Sequence, residues 1–315
     1  MNKPNIVILE SIHDYGINEL KKVANVEVSL GLSREEILLA VQNVEGIIVK
    51  SVVEVNKELF NCAPKLKFVG RAGTGLDNID TALAKELGIE VLNTPTANSI
   101  SAAELTIAFI LSSMRRLPEV FESVKQNDFR RAKLEGSELS GKKVGIIGIG
   151  NVGIRVFKRL LPFGCKIYGY DPDSIYLQDF IDGGGIIFNT LKDLFNKVEI
   201  LSLHANLQKE SRHILNRDTI KFLNKGSVLI NTARAGLIED NALLDALQKG
   251  LISWAMLDVL SPEPPYDLLP EEHRYQHKLL SHPRVTVTPH IGASTIEAQK
   301  RVAEELVNAI KKYYN

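Results

Sequence analysis

At 315 residues the chain is long enough for two domains of ordinary size. It is 44% hydrophobic and 24% charged, the balance of a globular protein with real cores. Lys plus Arg and Asp plus Glu both number 38, which excludes the electrostatic footprint of a nucleic-acid or anionic-membrane binder.

The first hundred residues alternate strand and helix. Strands are expected at 5–9, 26–29, 46–49, 68–69 and 90–93. An amphipathic helix is expected over 13–23, and a second begins where Ser33 and Glu36 form a capping box. This alternation predicts an open parallel α/β unit of the flavodoxin-like kind, whose ligands gather at the carboxyl ends of the strands. Two of those ends carry unusual chemistry. One presents Lys50-Ser51. The other presents Arg71, Ala72, Gly73, Thr74 and Gly75, a turn able to offer backbone N–H groups to a carboxylate or phosphate. After Asn93-Thr94-Pro95, a long helix over 101–114 is expected to cross into a second domain, with Pro118 beyond it. Residues 119–142 read as a polar, partly basic lead into the next strand.

That strand opens the most informative stretch. Val144, Ile146 and Ile147 form a buried apolar run. Gly148, Gly150 and Gly153 follow in G-x-G-x-x-G spacing and lead into a helix. Gly148 permits the tight turn, Gly150 lets a pyrophosphate lie on bare backbone, and Gly153 allows close helix–strand packing. The helix N-terminus turns unpaired N–H groups toward the phosphates. A second strand then delivers Asp171, 18 residues past Gly153, near the roughly 20 typical of a ribose-binding acid. A carboxylate there accepts from a 2′-hydroxyl and repels a 2′-phosphate, so the expected cofactor is NAD.

The alternation then resumes. Strands are expected at 186–188, 200–203, 254–259 and 285–288, residues 227–236 read as a strand ending in a polar turn, and a helix is expected over 241–247. His204, Ala205 and Asn206 follow one strand end. A charged connection covers 266–284, and a closing helix covers 295–313. That last helix arrives after the dinucleotide sheet is complete, which suggests that it returns to the first domain. The expected fold is α/β: two Rossmann/flavodoxin-like domains with doubly wound parallel sheets and a cleft between them. The substrate-binding domain is discontinuous, 1–98 plus 288–315, and the NAD-binding domain is 99–287.

Three residues stand at predicted strand ends, on the ligand-binding edge of one sheet, with complementary chemistry. Arg234 offers a planar, permanently charged fork for a carboxylate. His290 is of the type that exchanges a proton near neutral pH. Glu263 is of the type that orients an imidazole and favours its protonated form. Together they suit hydride transfer between a nicotinamide and the C2 carbon of a 2-oxo or 2-hydroxy acid. His13, His213, His273, His277 and His282 read as structural or solvated, with His204 intermediate. Cys62 and Cys165 lie far apart without metal-ligand spacing and read as reduced, packed thiols of a cytoplasmic protein. No metal is expected. Neither are a signal peptide, since an apolar strand begins within five residues, and a membrane span.

With Gly70–Asp80, Asn93–Pro95, Ser101–Leu105, the glycine turn, Thr232–Arg234, Leu257–Val259 with Glu263-Pro264, and Pro289–Ser294, the chain resembles the D-isomer-specific 2-hydroxyacid dehydrogenases. Within them it is most similar to the phosphoglycerate dehydrogenases. The resemblance implies Arg234, Glu263 and His290 as the catalytic set. It implies NAD contacts at Thr74, Gly148, Gly150, Asn151, Val152, Gly153, Asp171, His204, Ala205, Thr232, Ala233, Arg234, Asp258, His290, Gly292 and Ala293. Substrate contacts are implied at Lys50, Ser51, Arg71, Ala72, Gly73, Arg234 and His290, along with a homodimer built through the NAD-binding domains. The implied reaction is NAD-dependent oxidation of D-3-phosphoglycerate, with glyoxylate or hydroxypyruvate reduction as the alternative. An NAD(H)-sensing corepressor is a remote alternative from another class. Lys50 replaces the family's usual arginine, and Glu54 stands where a lysine is common, so a carboxylate there opposes a phosphate. The regulatory domain of longer phosphoglycerate enzymes is not expected.

Overall fold

The computed structural model describes residues 3–265 and 268–314. Residues 266 and 267 of the charged connection, and 1, 2 and 315 of the expected first domain, lie outside the described residues. The chain divides into two compact units, Met1–Ser99 with Ala293–Asn315, and Ile100–Gly292.

The first unit contains β1 (Asn5–Ile8), α1 (Asp14–Val23), β2 (Asn25–Val28), α2 (Arg34–Ala40), β3 (Gly46–Val49), α3 (Lys57–Cys62), β4 (Phe68–Arg71), α4 (Thr81–Glu86) and β5 (Glu90–Leu92). All pairings are parallel, in the order β2-β1-β3-β4-β5. Strand residues alternate between two apolar clusters. Val7, Ile47, Val49 and Val69 face one cluster, and Ile6, Ile8, Ile48 and Phe68 face the other. This period of two, with both faces covered, explains why β3 reads as an unbroken apolar run. The Ser33/Glu36 capping box forms in both directions.

The second unit begins with α5 (Ser99–Met114), α6 (Leu117–Lys125), β6 (Lys143–Ile147), α7 (Gly153–Leu160), β7 (Lys166–Tyr170), α8 (Leu177–Asp182), β8 (Ile186–Ile187) and α9 (Leu191–Lys197). It continues with β9 (Ile200–Leu203), β10 (Ser227–Asn231), α10 (Asp240–Gln248), β11 (Ile252–Leu257) and β12 (Val285–Val287). Its sheet is parallel throughout, ordered β12-β11-β10-β9-β6-β7-β8. The order reverses between β6 and β9, the topological switch point at which such sheets take ligands. The α6 helix corrects the sequence reading. Arg116 adopts φ 53°, which turns the chain, and Pro118 then sits in the first turn of a new helix, where its missing N–H has no cost. Proline there starts a helix as readily as it follows one.

The closing helix, α11 (Ile296–Tyr314), belongs to the first unit. Val302, Leu306, Val307 and Ile310 pack with Ile6, Ile8, Leu20 and Ile48. It approaches α1 closely: a Cβ on Gly16 would lie 3.0 Å from that of Ala303. Among the described residues no helix is long and apolar enough to cross a membrane. Because Leu306 is fully buried, Leu306→Ala is expected to cost about 2–5 kcal/mol of unfolding free energy, measured by chemical denaturation. A change near zero would mean that α11 is not part of this core.

Candidate active site

At the end of β6 the chain has no room for side chains in two places. Gly148 sits at φ +88° and donates its N–H to Tyr170 O at 3.0 Å. A Cβ on Gly148 would approach Ala205 N to 2.5 Å, and one on Gly153 would approach Gly148 O to 2.0 Å. Gly150 has nothing within 4 Å of its Cβ position, so its backbone borders open space. No side chain caps the start of α7 at Val152, and of its first-turn amides Ile154 N donates to Gly150 O at 3.0 Å. Asp171, one residue past β7, braces the turn. Its Oδ2 accepts from Ile149 N at 2.7 Å and its Oδ1 from Asp173 N at 3.0 Å. Asn151 uses its side-chain oxygen to accept from Tyr176 OH at 2.7 Å.

The other side of this crevice is the end of β9. His204 N–H donates to Ile147 O at 2.7 Å, and His204 Nε2 lies 2.8 Å from Ser202 Oγ. His204 Nδ1 is buried and has no hydrogen-bond partner. Burial pushes the imidazole pKa down to about 3, so the ring is neutral.

Three neighbouring strand ends, β10, β11 and β12, carry the catalytic candidates. They are in register, with Asn231 opposite Leu257 and Leu257 opposite Val287. Fully buried Asn231 shapes the Thr232–Arg234 turn by accepting from Ala233 N at 3.0 Å and donating to Arg234 O at 2.9 Å. Thr232 Oγ1 lies 2.8 Å from Thr106 Oγ1 of α5. The Arg234 guanidinium donates to Ala233 O at 2.8 Å.

Asp258 follows β11 and is fully buried. Its Oδ1 accepts from Thr288 Oγ1 and from Ile291 N at 2.9 Å, and its Oδ2 accepts from Gly292 N at 2.8 Å. One carboxylate thus grips the chain on both sides of His290. Burial pushes its pKa up, while these three donors and nearby His290 pull it down. His290 itself takes φ 55°, a left-handed conformation that costs a residue with a Cβ roughly 1 kcal/mol. His290 Nδ1 lies 3.0 Å from Glu263 Oε1.

On the first unit, Lys50 and Ser51 follow β3, and Arg71 ends β4. The expected amide donors of the Arg71 turn are largely spent: Ala72 N donates to Val49 O at 2.8 Å and Gly73 N to Arg71 O at 2.9 Å. Gly73 suits its φ of +147°, a backbone conformation that residues with a side chain rarely adopt. Thr74 Oγ1 lies 3.1 Å from Thr94 O and 2.9 Å from Asn98 Oδ1. Ala293 O accepts from Thr295 N and from Gln299 Nε2.

The sequence reading missed the residues that hold Glu263. Tyr275 OH donates to Pro262 O at 2.7 Å. His277 Nε2 lies 3.1 Å from Ser261 O and 3.2 Å from Asp240 Oδ2, while its Nδ1 accepts from Leu279 N. His277 therefore carries its proton on Nε2 and binds the segment just before Glu263. No motif marked it, because the partner is a backbone carbonyl 16 residues away.

The family model for the D-isomer specific 2-hydroxyacid dehydrogenase, NAD binding domain, matches residues 107–292. This chain belongs to the D-isomer specific 2-hydroxyacid dehydrogenase family. It is 38% identical over 309 residues to a D-3-phosphoglycerate dehydrogenase of Methanocaldococcus jannaschii, a span covering 98% of this chain and 57% of that one. It is 40% identical over 284 residues to a hydroxypyruvate reductase of Thermotoga maritima, covering 89% of this chain and 88% of that one. A D-lactate dehydrogenase of Aquifex aeolicus, solved with NAD and lactic acid, aligns with a TM-score of 0.88 at 28% identity, covering 98% and 95% of the two chains. The second unit is thus the family's NAD-binding domain. Its residues fit that cofactor: the Gly150 backbone borders open space, Asp171 follows β7, and the His204 and Ala205 backbone lies against Gly148 while His204 Nδ1 is without a partner.

A neutral enclosed His204 has a consequence for stability. Its folded-state pKa lies below the unfolded value, so its contribution is present above about pH 6.5 and is lost as pH falls toward 3. His204→Gln is expected to flatten the acid side of the stability curve, by up to about 1.4 kcal/mol per pH unit. Denaturation series between pH 7 and 4 measure this, and parallel curves would contradict the neutral, enclosed ring.

Proposed function

We propose that the protein is an NAD-dependent D-2-hydroxyacid dehydrogenase that oxidises D-3-phosphoglycerate to 3-phosphohydroxypyruvate, the first step of L-serine biosynthesis. The observation that carries this reading is the His290–Glu263 pair at 3.0 Å, on the ligand-binding edge of the sheet that also bears the Arg234 turn. NAD, when bound, accepts the hydride from C2 in oxidation and returns it in reduction. Arg234 holds the substrate carboxylate with two parallel N–H bonds and polarises the C2 oxygen. Glu263 accepts from His290 Nδ1, which fixes the ring and leaves Nε2 to take the C2 hydroxyl proton. In reduction the same nitrogen returns that proton, and Glu263 supports the imidazolium. We assign Lys50, Ser51 and Arg71 to the phosphate end of the acid. The reading includes a homodimer through the NAD-binding units, supported by Phe121, Val124 and Phe129, which expose apolar surface in and after α6.

A second reading, hydroxypyruvate or glyoxylate reduction, is favoured by exposed Glu54 beside the Lys50 loop, since a carboxylate there repels a phosphate. The Thermotoga hydroxypyruvate reductase supports it through similar identity over nearly the whole length of both chains.

NADH oxidation with 3-phosphohydroxypyruvate, hydroxypyruvate and glyoxylate, compared by kcat/KM, separates the two. The expected result is a preference of about a hundredfold for the phosphorylated acid, roughly 2.7 kcal/mol. Equal or better turnover of the unphosphorylated acids would establish the second reading. Arg234→Ala and His290→Ala are each expected to lower kcat/KM by about a hundredfold or more while NADH binding is retained. A wild-type kcat/KM in the His290 variant would remove the assigned role.

A further inference from the structure

The loop that follows β3 is held by a residue that no motif singled out. Glu10 lies two residues past the end of β1. Its Oε2 accepts from Lys50 N at 2.6 Å and Val53 N at 3.1 Å, and its Oε1 accepts from Ser51 N at 3.1 Å and Val52 N at 3.0 Å. Four consecutive amides converge on one carboxylate. The loop's carbonyls are taken by a second side chain: Asn78 Nδ2 donates to Val53 O at 2.7 Å and, more weakly, to Lys50 O at 3.4 Å. Val55 N donates in turn to Asn78 O at 2.8 Å.

A loop's backbone groups ordinarily go to water, and the loop takes many shapes. Here an acid takes all four donors and an amide serves the carbonyls at the two ends of the segment, which holds the backbone of residues 50–53 in place. Charge-assisted bonds from amide to carboxylate are the stronger kind. The position is also telling. In the order β2-β1-β3-β4-β5 the direction of winding reverses between β1 and β3, and a sheet of this order takes its ligand outside the carboxyl ends of those two strands. Glu10 follows one of them and Lys50 the other. The amides of the loop form a concavity of the kind that binds anions, and Glu10 fills it from within. An anionic substrate at this edge must therefore be met by side chains rather than by these amides.

We propose that Glu10 and Asn78 are positioning residues for the acid substrate, clasping the Lys50–Val53 backbone so that Lys50 and Ser51 are presented in one arrangement. This rests on the assignment of Lys50 and Ser51 to the substrate under Proposed function.

The test uses the full chain with Glu10→Ala, Glu10→Gln and Asn78→Ala, each checked for folding by thermal melting. Hydrogen exchange of the residue 50–53 amides reads the clasp directly, and steady-state kinetics with the best 2-oxo acid reads its use. For Glu10→Ala we expect exchange at residues 50–53 to accelerate by about tenfold or more. We expect the KM for the acid to rise by a similar factor, with kcat and the KM for NADH within about twofold of wild type. Glu10→Gln keeps one acceptor oxygen and should fall between, which also serves if the alanine variant fails to fold. Asn78→Ala should shift the acid KM in the same direction by less. Unchanged exchange would overturn the clasp. Faster exchange with an unchanged acid KM would leave a loop brace and overturn the positioning role. If wild type turns over no 2-oxo acid, the functional reading fails and the positioning role with it, whereas the exchange data still report on the clasp.

Discussion

The chemistry of the second unit depends on how one buried carboxylate is satisfied. Asp258 has no water to turn to, so three donors must reach it, and all three come from the segment that carries His290. A buried acid without such partners would cost several kcal/mol. With them it fixes a left-handed turn that an isolated histidine would avoid. The imidazole carried by that turn meets Glu263 at 3.0 Å.

The same logic recurs along the ligand-binding edges. Asn231 spends its amide group on the turn that carries Arg234. His277 and Tyr275 hold the carbonyls before Glu263, and Asp171 braces the glycine turn. Glu10 gathers four amides of the Lys50 loop. In each case a polar side chain is bonded to the backbone of a loop, and Asn231, Asp171 and Glu10 do so from the ends of parallel strands. The sheets supply rigid, in-register ends, and these side chains convert loops into positioned groups. The thiols take no part: burial pushes Cys165 up to about 11, which keeps it protonated.

The parallel pairing and the two-cluster cores were legible in sequence because apolar runs of four or five residues have one stable use between helices. The glycine turn was legible because its constraints are local: Gly148 and Gly153 are excluded from bearing side chains by atoms within a few residues or in the adjoining strand end. The α6 helix was not legible, since Pro118 suits the start of a helix as well as the loop after one. His277 was read no more finely than structural or solvated, because its partners, Asp240 and Ser261, are distant in sequence.

The sequence by itself determined the two α/β sheets and the expectation of NAD, because these follow from short-range periodicity and spacing, while the family was legible from the resemblance of its motifs. It also named Arg234, Glu263 and His290 from their chemistry and from the resemblance their motifs carry. Tertiary structure gave the expected His290–Glu263 pair its 3.0 Å geometry, and alone decided that Asp258 clamps the histidine's turn. It also decided that the amides of the Lys50 loop are occupied by Glu10 rather than open to a ligand. The reason is physical. A hydrogen bond between residues 27 or 40 positions apart leaves no periodic trace, and exists only once strand register has brought the two ends together.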